Sequence, residues 1–79
     1  FRSQQVSKLG PMSFDKSALE ACDGSCSVTF TGAGGSVRGA FFKAVWGPAL
    51  LAKGGSNVYL SGVVKKNGSD VKIILSNVQ

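Results

Sequence analysis

The sequence predicts an all-β protein of five short strands with a short helix between the third and the fourth, and three observations carry that prediction. Eleven glycines against two prolines punctuate the chain, many of them between short β-branched runs, a spacing of turns that suits a β meander and not a helical bundle. Apolar and polar residues alternate with a period of two in SCSVTFT, and the pattern returns in NVYLSGVVKK and DVKIILSNV, as in strands with one face buried. Between those blocks, WGPALLAKGG replaces the alternation with helix formers behind a proline and ahead of two glycines, the punctuation of a short helix.

Each element follows in chain order. FRSQQVSKLGPMS reads as an extended lead-in interrupted at Gly10-Pro11, in which Val6 and Leu9 either anchor a weak first strand or tether the terminus. Residues 15–22, DKSALEAC, support one or two helical turns behind a cap at Ser13 or Asp15. Residues 1–25 are therefore expected to form an irregular or partly helical segment within a single domain spanning 1–79. In the next run, Val28 and Phe30 fall on one side of a strand and Ser27, Thr29 and Thr31 on the other, and GAGG at 32–35 reads as a hairpin turn. SVRGAFFKAVW continues as a strand whose alternation sets Val37, Phe41 and Val45 on one face and Arg38, Phe42 and Trp46 on the other. Gly39 in its middle suggests a bulge or strong coiling. Pro48 is expected in the first turn of the following helix, with Gly54 or Gly55 ending it. Asn67-Gly68 is a strong hairpin signal between the last two strands. The consistent apolar side of these strands, Val28, Phe30, Val58, Leu60, Val71, Ile73 and Leu75, is the expected core.

Composition bounds what such a fold does. A domain of 79 residues buries only about 60% of its unfolded surface, so its stability is marginal without a staple or a partner. Nine Lys and Arg against four Asp and Glu leave a charge of +5, which attracts nucleic acid, anionic membrane surfaces or acidic proteins, or serves solubility alone. Lys65-Lys66 is the only adjacent cationic pair, so the charge is not a polybasic tail. Cys22 and Cys26 stand in CDGSC, a spacing compatible with a tight disulfide loop and equally with two free thiols. A metal site is not expected, since no histidine and no second cysteine pair complete a ligand set. No run reaches the roughly 18 apolar residues of a membrane span and no signal peptide is visible. The compartment is open, intracellular if the thiols are free and secreted if they are bridged.

The C-terminal half resembles the oligonucleotide/oligosaccharide-binding superfamily, the OB-fold, in its nucleic-acid-binding branch. The resemblance covers about residues 26–79: an aromatic strand ending FFKAVW, a helix GPALLAKGG, the strand NVYLSGVVKK, the turn at Asn67-Gly68 and the final strand VKIILSNV. Replication protein A-type modules share that order. The resemblance implies a small five-stranded OB-like barrel, with the helix between strands three and four, that binds nucleic acid as one module of a larger assembly or as a small accessory subunit.

The residues point the same way by their own chemistry. Catalysis is not expected: histidine is absent, the carboxylates Asp15, Glu20, Asp23 and Asp70 are scattered, and neither cysteine has an activating base. No cofactor is expected either, because GAGG lacks the lysine-serine pair and helix start of a phosphate loop. Single-stranded nucleic acid binds by stacking bases on exposed rings while cations neutralise its backbone. Phe42, Trp46 and Tyr59 are the candidate rings, and Arg38, Lys43, Lys65, Lys66 and Lys72 the candidate cations. Each ring has a competing place in the core: in a domain this small one of Phe41 and Phe42 must be buried, Trp46 packs readily against the helix after it, and Tyr59 fills a barrel with its hydroxyl at the rim. Two other functions fit the pattern. One is a protein-interaction module in which Ile74 and Val78 meet a partner; the other is a small secreted β protein, such as a fungal effector or toxin, with Cys22 and Cys26 bridged.

Overall fold

A computed structural model describes residues 2–79, with side chains described from Gln4 onward. The chain forms β1 (Arg2–Phe14), α1 (Lys16–Ala21), β2 (Ser25–Gly32), β3 (Gly35–Phe42), α2 (Lys43–Lys53), β4 (Val58–Asn67) and β5 (Asp70–Val78). The strands close a barrel in the order β1-β2-β3-β5-β4, with β4 returning to β1. The pair β3–β5 is parallel and the others are antiparallel. Parallel neighbours need a crossover, and α2 with β4 supplies it: the chain leaves β3 through the helix, runs along β4, and turns back on β5 beside β3. The expected fold class, an all-β five-stranded barrel with a helix between β3 and β4, is the one observed.

The two hairpins form where the sequence marks them. The β2–β3 turn lies at Ala33-Gly34, and the β4–β5 turn follows Asn67, with Gly68 at φ 63°, a conformation open to glycine at no steric cost. Six of the seven expected core residues are buried: Val28, Phe30, Val58, Leu60, Ile73 and Leu75. Val71 is half-buried at the barrel rim and packs against that cluster. The helices cap the barrel with one fully buried leucine each, Leu19 from α1 and Leu50 from α2, both joined to the same core. Asp15 is the α1 cap; its carboxylate accepts from the Ser17 backbone N–H at 3.0 Å and from the Ser17 hydroxyl at 2.6 Å. The Ser17 bonds, side chain first, hold this carboxyl below the ordinary aspartate value.

The structure corrects four expectations. Residues 2–14 are not an irregular lead-in but the longest strand, paired to β4 along most of its length and to β2 at Ser13 and Phe14. Two register shifts interrupt the β1–β4 ladder, between Val6 and Leu9 and between Leu9 and Met12. Each inserts an extra residue, so the residues turned toward the core, Val6, Leu9 and Met12, recur every third position and erase the period of two. Gly39 carries no bulge, since the β2–β3 register runs unbroken from Ser25↔Phe42 to Gly32↔Gly35. It is glycine because a Cβ there would stand 2.5 Å from the Phe30 ring.

The third correction concerns where β3 ends. The strand stops at Phe42, and Lys43, Ala44, Val45 and Trp46 are the first turn of α2, which puts Pro48 inside the helix and not at its start. The Lys43 backbone N–H still donates to the Gly24 carbonyl at 2.8 Å, one step further along the β2–β3 register; beyond it the helical spacing takes over, and Trp46 and Leu50, four apart, fall on one helical face against the core. Val45 therefore does not share the inner face of β3 with Val37 and Phe41; it is 59% exposed. Gly54, at φ 73°, ends α2 by donating its N–H to the Leu51 carbonyl. Finally, Val78 is not left for a partner: it pairs with Leu60 and packs against the core.

Candidate functional site

Strand alternation sends Arg38, Ala40 and Phe42 to the outer surface of β3, and Lys72 and Ile74 to the outer surface of β5. Because β5 lies between β3 and β4, the pairing sets these residues in cross-strand rows. One row runs Thr29, Arg38, Lys72, Lys65 across β2, β3, β5 and β4, and the next runs Ser27, Ala40, Ile74, Val63. Phe42 lies one row further on, opposite Ser25. Two residues of strand advance ~6.8 Å, so Phe42 stands roughly 13 Å beyond the cationic row. A band of cations, a strip of small and apolar side chains and an exposed ring thus follow one another on a single face.

Phe42 is the most exposed large apolar residue among those described, at 66%, whereas its neighbour Phe41 is 6% exposed and belongs to the core. The Phe42 ring separates two grooves. The first, of about 260 Å³, runs toward β5 between Phe42, Trp46, Ile74 and Lys72. The second, of about 440 Å³, lies between α2 and the loop that follows α1, with Phe42, Lys43, Gly47, Asp23 and Gly24 on its walls. A flat ligand has access to the ring from either groove.

The other predicted residues divide. Trp46 is half-buried on α2 and lines the first groove, so it joins the site from the helix and not from the strand. Lys43 lies on α2 with its ammonium donating to the Cys22 carbonyl at 2.7 Å and the Glu20 carbonyl at 3.1 Å; that cation is occupied in holding the end of α1. Tyr59 is 38% exposed but sits at the far end of β4, paired with Gln79 and close over Gly10. β3 lies between β2 and β5, and Phe42 stands opposite Ser25 of β2, so Tyr59 on β4 is not its neighbour. Lys65 and Lys66, adjacent in sequence, part company by alternation: Lys65 joins the cationic row, while Lys66 pairs with Val71 and Arg2 at the rim of the barrel.

Two participants had no sequence signal. Asp70 pairs with Arg38 at 2.5 Å, an ion pair with both side chains about half exposed; such surface pairs contribute little to stability but lower the positive charge of the row. Val45 adds a third exposed apolar group beside Phe42 and Ile74, and lines the first groove. The helical spacing of Trp46 and Leu50 was the one cue that the strand had ended. Cys22 and Cys26 are joined in a disulfide, Cα to Cα 5.8 Å, which ties the end of α1 to the start of β2. Among the described residues no group of three or more acidic, cysteine or histidine side chains gathers to hold a metal ion, and no helix is long and apolar enough to cross a membrane. No protein-family model, characterised protein or solved structure matches this chain.

Proposed function

We propose that this chain is a non-catalytic nucleic-acid-binding module of the OB superfamily that takes a single strand across the outer face of β3 and β5. The observation that carries the reading is the exposed Phe42 ring standing on the same face as the row of Arg38, Lys72 and Lys65. Stacking on an exposed ring is indifferent to sequence, and cations beside it neutralise the backbone. The strand order β1-β2-β3-β5-β4 and the helix between β3 and β4 support the superfamily assignment. The Cys22–Cys26 bridge favours an oxidising compartment, so the ligand is met outside the reducing cytosol.

Fluorescence anisotropy of a labelled, unstructured oligonucleotide tests the proposal. Binding is expected at low salt and falls steeply as salt rises, because neutralised phosphates release counterions. A second reading rests on the same patch: Phe42, Val45 and Ile74 form an apolar surface around the first groove, which suits a protein partner. Absence of oligonucleotide binding at low salt overturns the first reading in favour of the second.

A further inference from the structure

Three hydrogen bonds join the segment around the disulfide to residue 43. The Lys43 backbone N–H donates to the Gly24 carbonyl at 2.8 Å, and its ammonium donates to the Cys22 carbonyl at 2.7 Å and the Glu20 carbonyl at 3.1 Å. Residue 43 is both the first residue of α2 and the chain neighbour of Phe42. A lysine at a helix start opposes the helix dipole; here the same ammonium lies at the C-terminal end of α1, where carbonyls lack intrahelical partners and a cation is favoured. The loop closed by Cys22 and Cys26 also forms a wall of the second groove through Asp23 and Gly24, opposite Phe42 and Lys43. Its ring is short, so it restricts the unfolded chain less than a long-range bridge does, and its main effect is on local geometry.

We propose that the Cys22–Cys26 bridge is a redox control of the Phe42 site: bridged, the loop clamps Lys43 and holds Phe42 in its ligand-accepting position; opened by a dithiol reductant, it releases them. The exchange balances within that pair. A thiolate of the dithiol attacks Sγ of Cys22, the more exposed of the two, since Cys26 is only 2% exposed. Cys26 leaves as a thiolate and takes up a proton, and the second thiol of the reductant resolves the mixed disulfide, leaving Cys22 as a thiol and the reductant oxidised to its own disulfide. The proposal rests on the nucleic-acid reading for its ligand but not for its geometry, and two readouts keep them apart.

The first readout is oligonucleotide anisotropy on the oxidised and the dithiol-treated protein, with circular dichroism to follow the fold. Reduction is expected to weaken binding about ten-fold, within the usual range of coupling between sites, while the salt slope stays unchanged because no phosphate contact is lost. Equal affinity in both states overturns the proposal. The second readout needs no ligand. Trp46, the only tryptophan, lines the first groove from α2, so its emission is expected to shift to longer wavelength when the clamp opens; an unchanged spectrum overturns the geometry. If the oxidised protein binds no oligonucleotide, the nucleic-acid reading fails, and the Trp46 emission decides the clamp alone. If reduction unfolds the chain, Lys43→Met in the oxidised protein replaces it. An equivalent loss of affinity with the salt slope kept supports the clamp, and either unchanged affinity or a slope lowered by about one phosphate contact overturns it.

Discussion

The two faces of β3 are made by alternate residues of the same eight, and they obey different constraints. Inward, Val37, Gly39 and Phe41 are buried, and their sizes are fixed by what they meet: Gly39 has no side chain because the Phe30 ring lies against it. Outward, Arg38 pairs with Asp70, Ala40 is half-buried beside the first groove, and Phe42 is left largely exposed. An interior position is explained by its neighbours in the barrel. A ring two-thirds exposed on the outer face has no such neighbours to fix its size, and the proposed function is what would account for it.

Truncating the interior is the largest way to test that contrast. Leu60 is fully buried and pairs with Leu9 of β1 and Val78 of β5, so Leu60→Ala is expected to cost about 2–5 kcal/mol, most of the stability of a domain this small. Urea denaturation measures it, and a variant that melts like the parent would show that the faces of β4 are inverted. Gly39→Ala attacks the same interior from the opposite direction. Its methyl must displace the buried Phe30 ring, an overpacking expected to cost about 1–3 kcal/mol while leaving oligonucleotide affinity per folded molecule unchanged.

Phe42→Ala reverses both outcomes. Removing the outer ring is expected to weaken oligonucleotide binding by about 1–3 kcal/mol with a denaturation midpoint close to the parent's, whereas Phe41→Ala, one residue away, destabilises the fold. Titration and denaturation of the two variants side by side check it. If Phe42→Ala unfolds the domain as Phe41→Ala does, the two faces of β3 do not differ in the way described.

The same contrast governs what the sequence reveals. The inner rows of β2, β4 and β5 are legible because within each strand no extra residue comes between Val28 and Phe30, Val58 and Leu60, or Ile73 and Leu75, so the period of two survives there. In β1 two bulges stretch the inward spacing to three, through Val6, Leu9 and Met12, so a 13-residue strand has no strand pattern. Phe42 was legible as an outer residue since alternation reaches it before β3 ends. Trp46 and Val45 fall on other faces than strand alternation predicts because the chain passes from strand to helix at Lys43 with no glycine or proline at the junction to mark it. Asp70 was unrecognised because its partner Arg38 lies across the parallel β3–β5 junction.

The smallest expected effect lies on α1, away from both faces of β3. The Asp15 carboxylate is exposed and caps the helix through the Ser17 hydroxyl and backbone N–H, which lower its pKa in the folded state. A carboxyl whose folded pKa is depressed contributes its full stabilisation above its unfolded pKa, about 4, and loses it as pH falls through the folded value. Asn at the same position accepts the same backbone N–H without a titrating charge. The parent is therefore expected to be slightly more stable than Asp15→Asn at pH 7, with the difference closing as pH drops below about 4. Urea denaturation of both proteins at pH 7 and pH 3 measures it. A difference that persists at the lower pH would mean that the ionised form of the cap is not what Asp15 contributes, and that its role in starting α1 is one of shape alone.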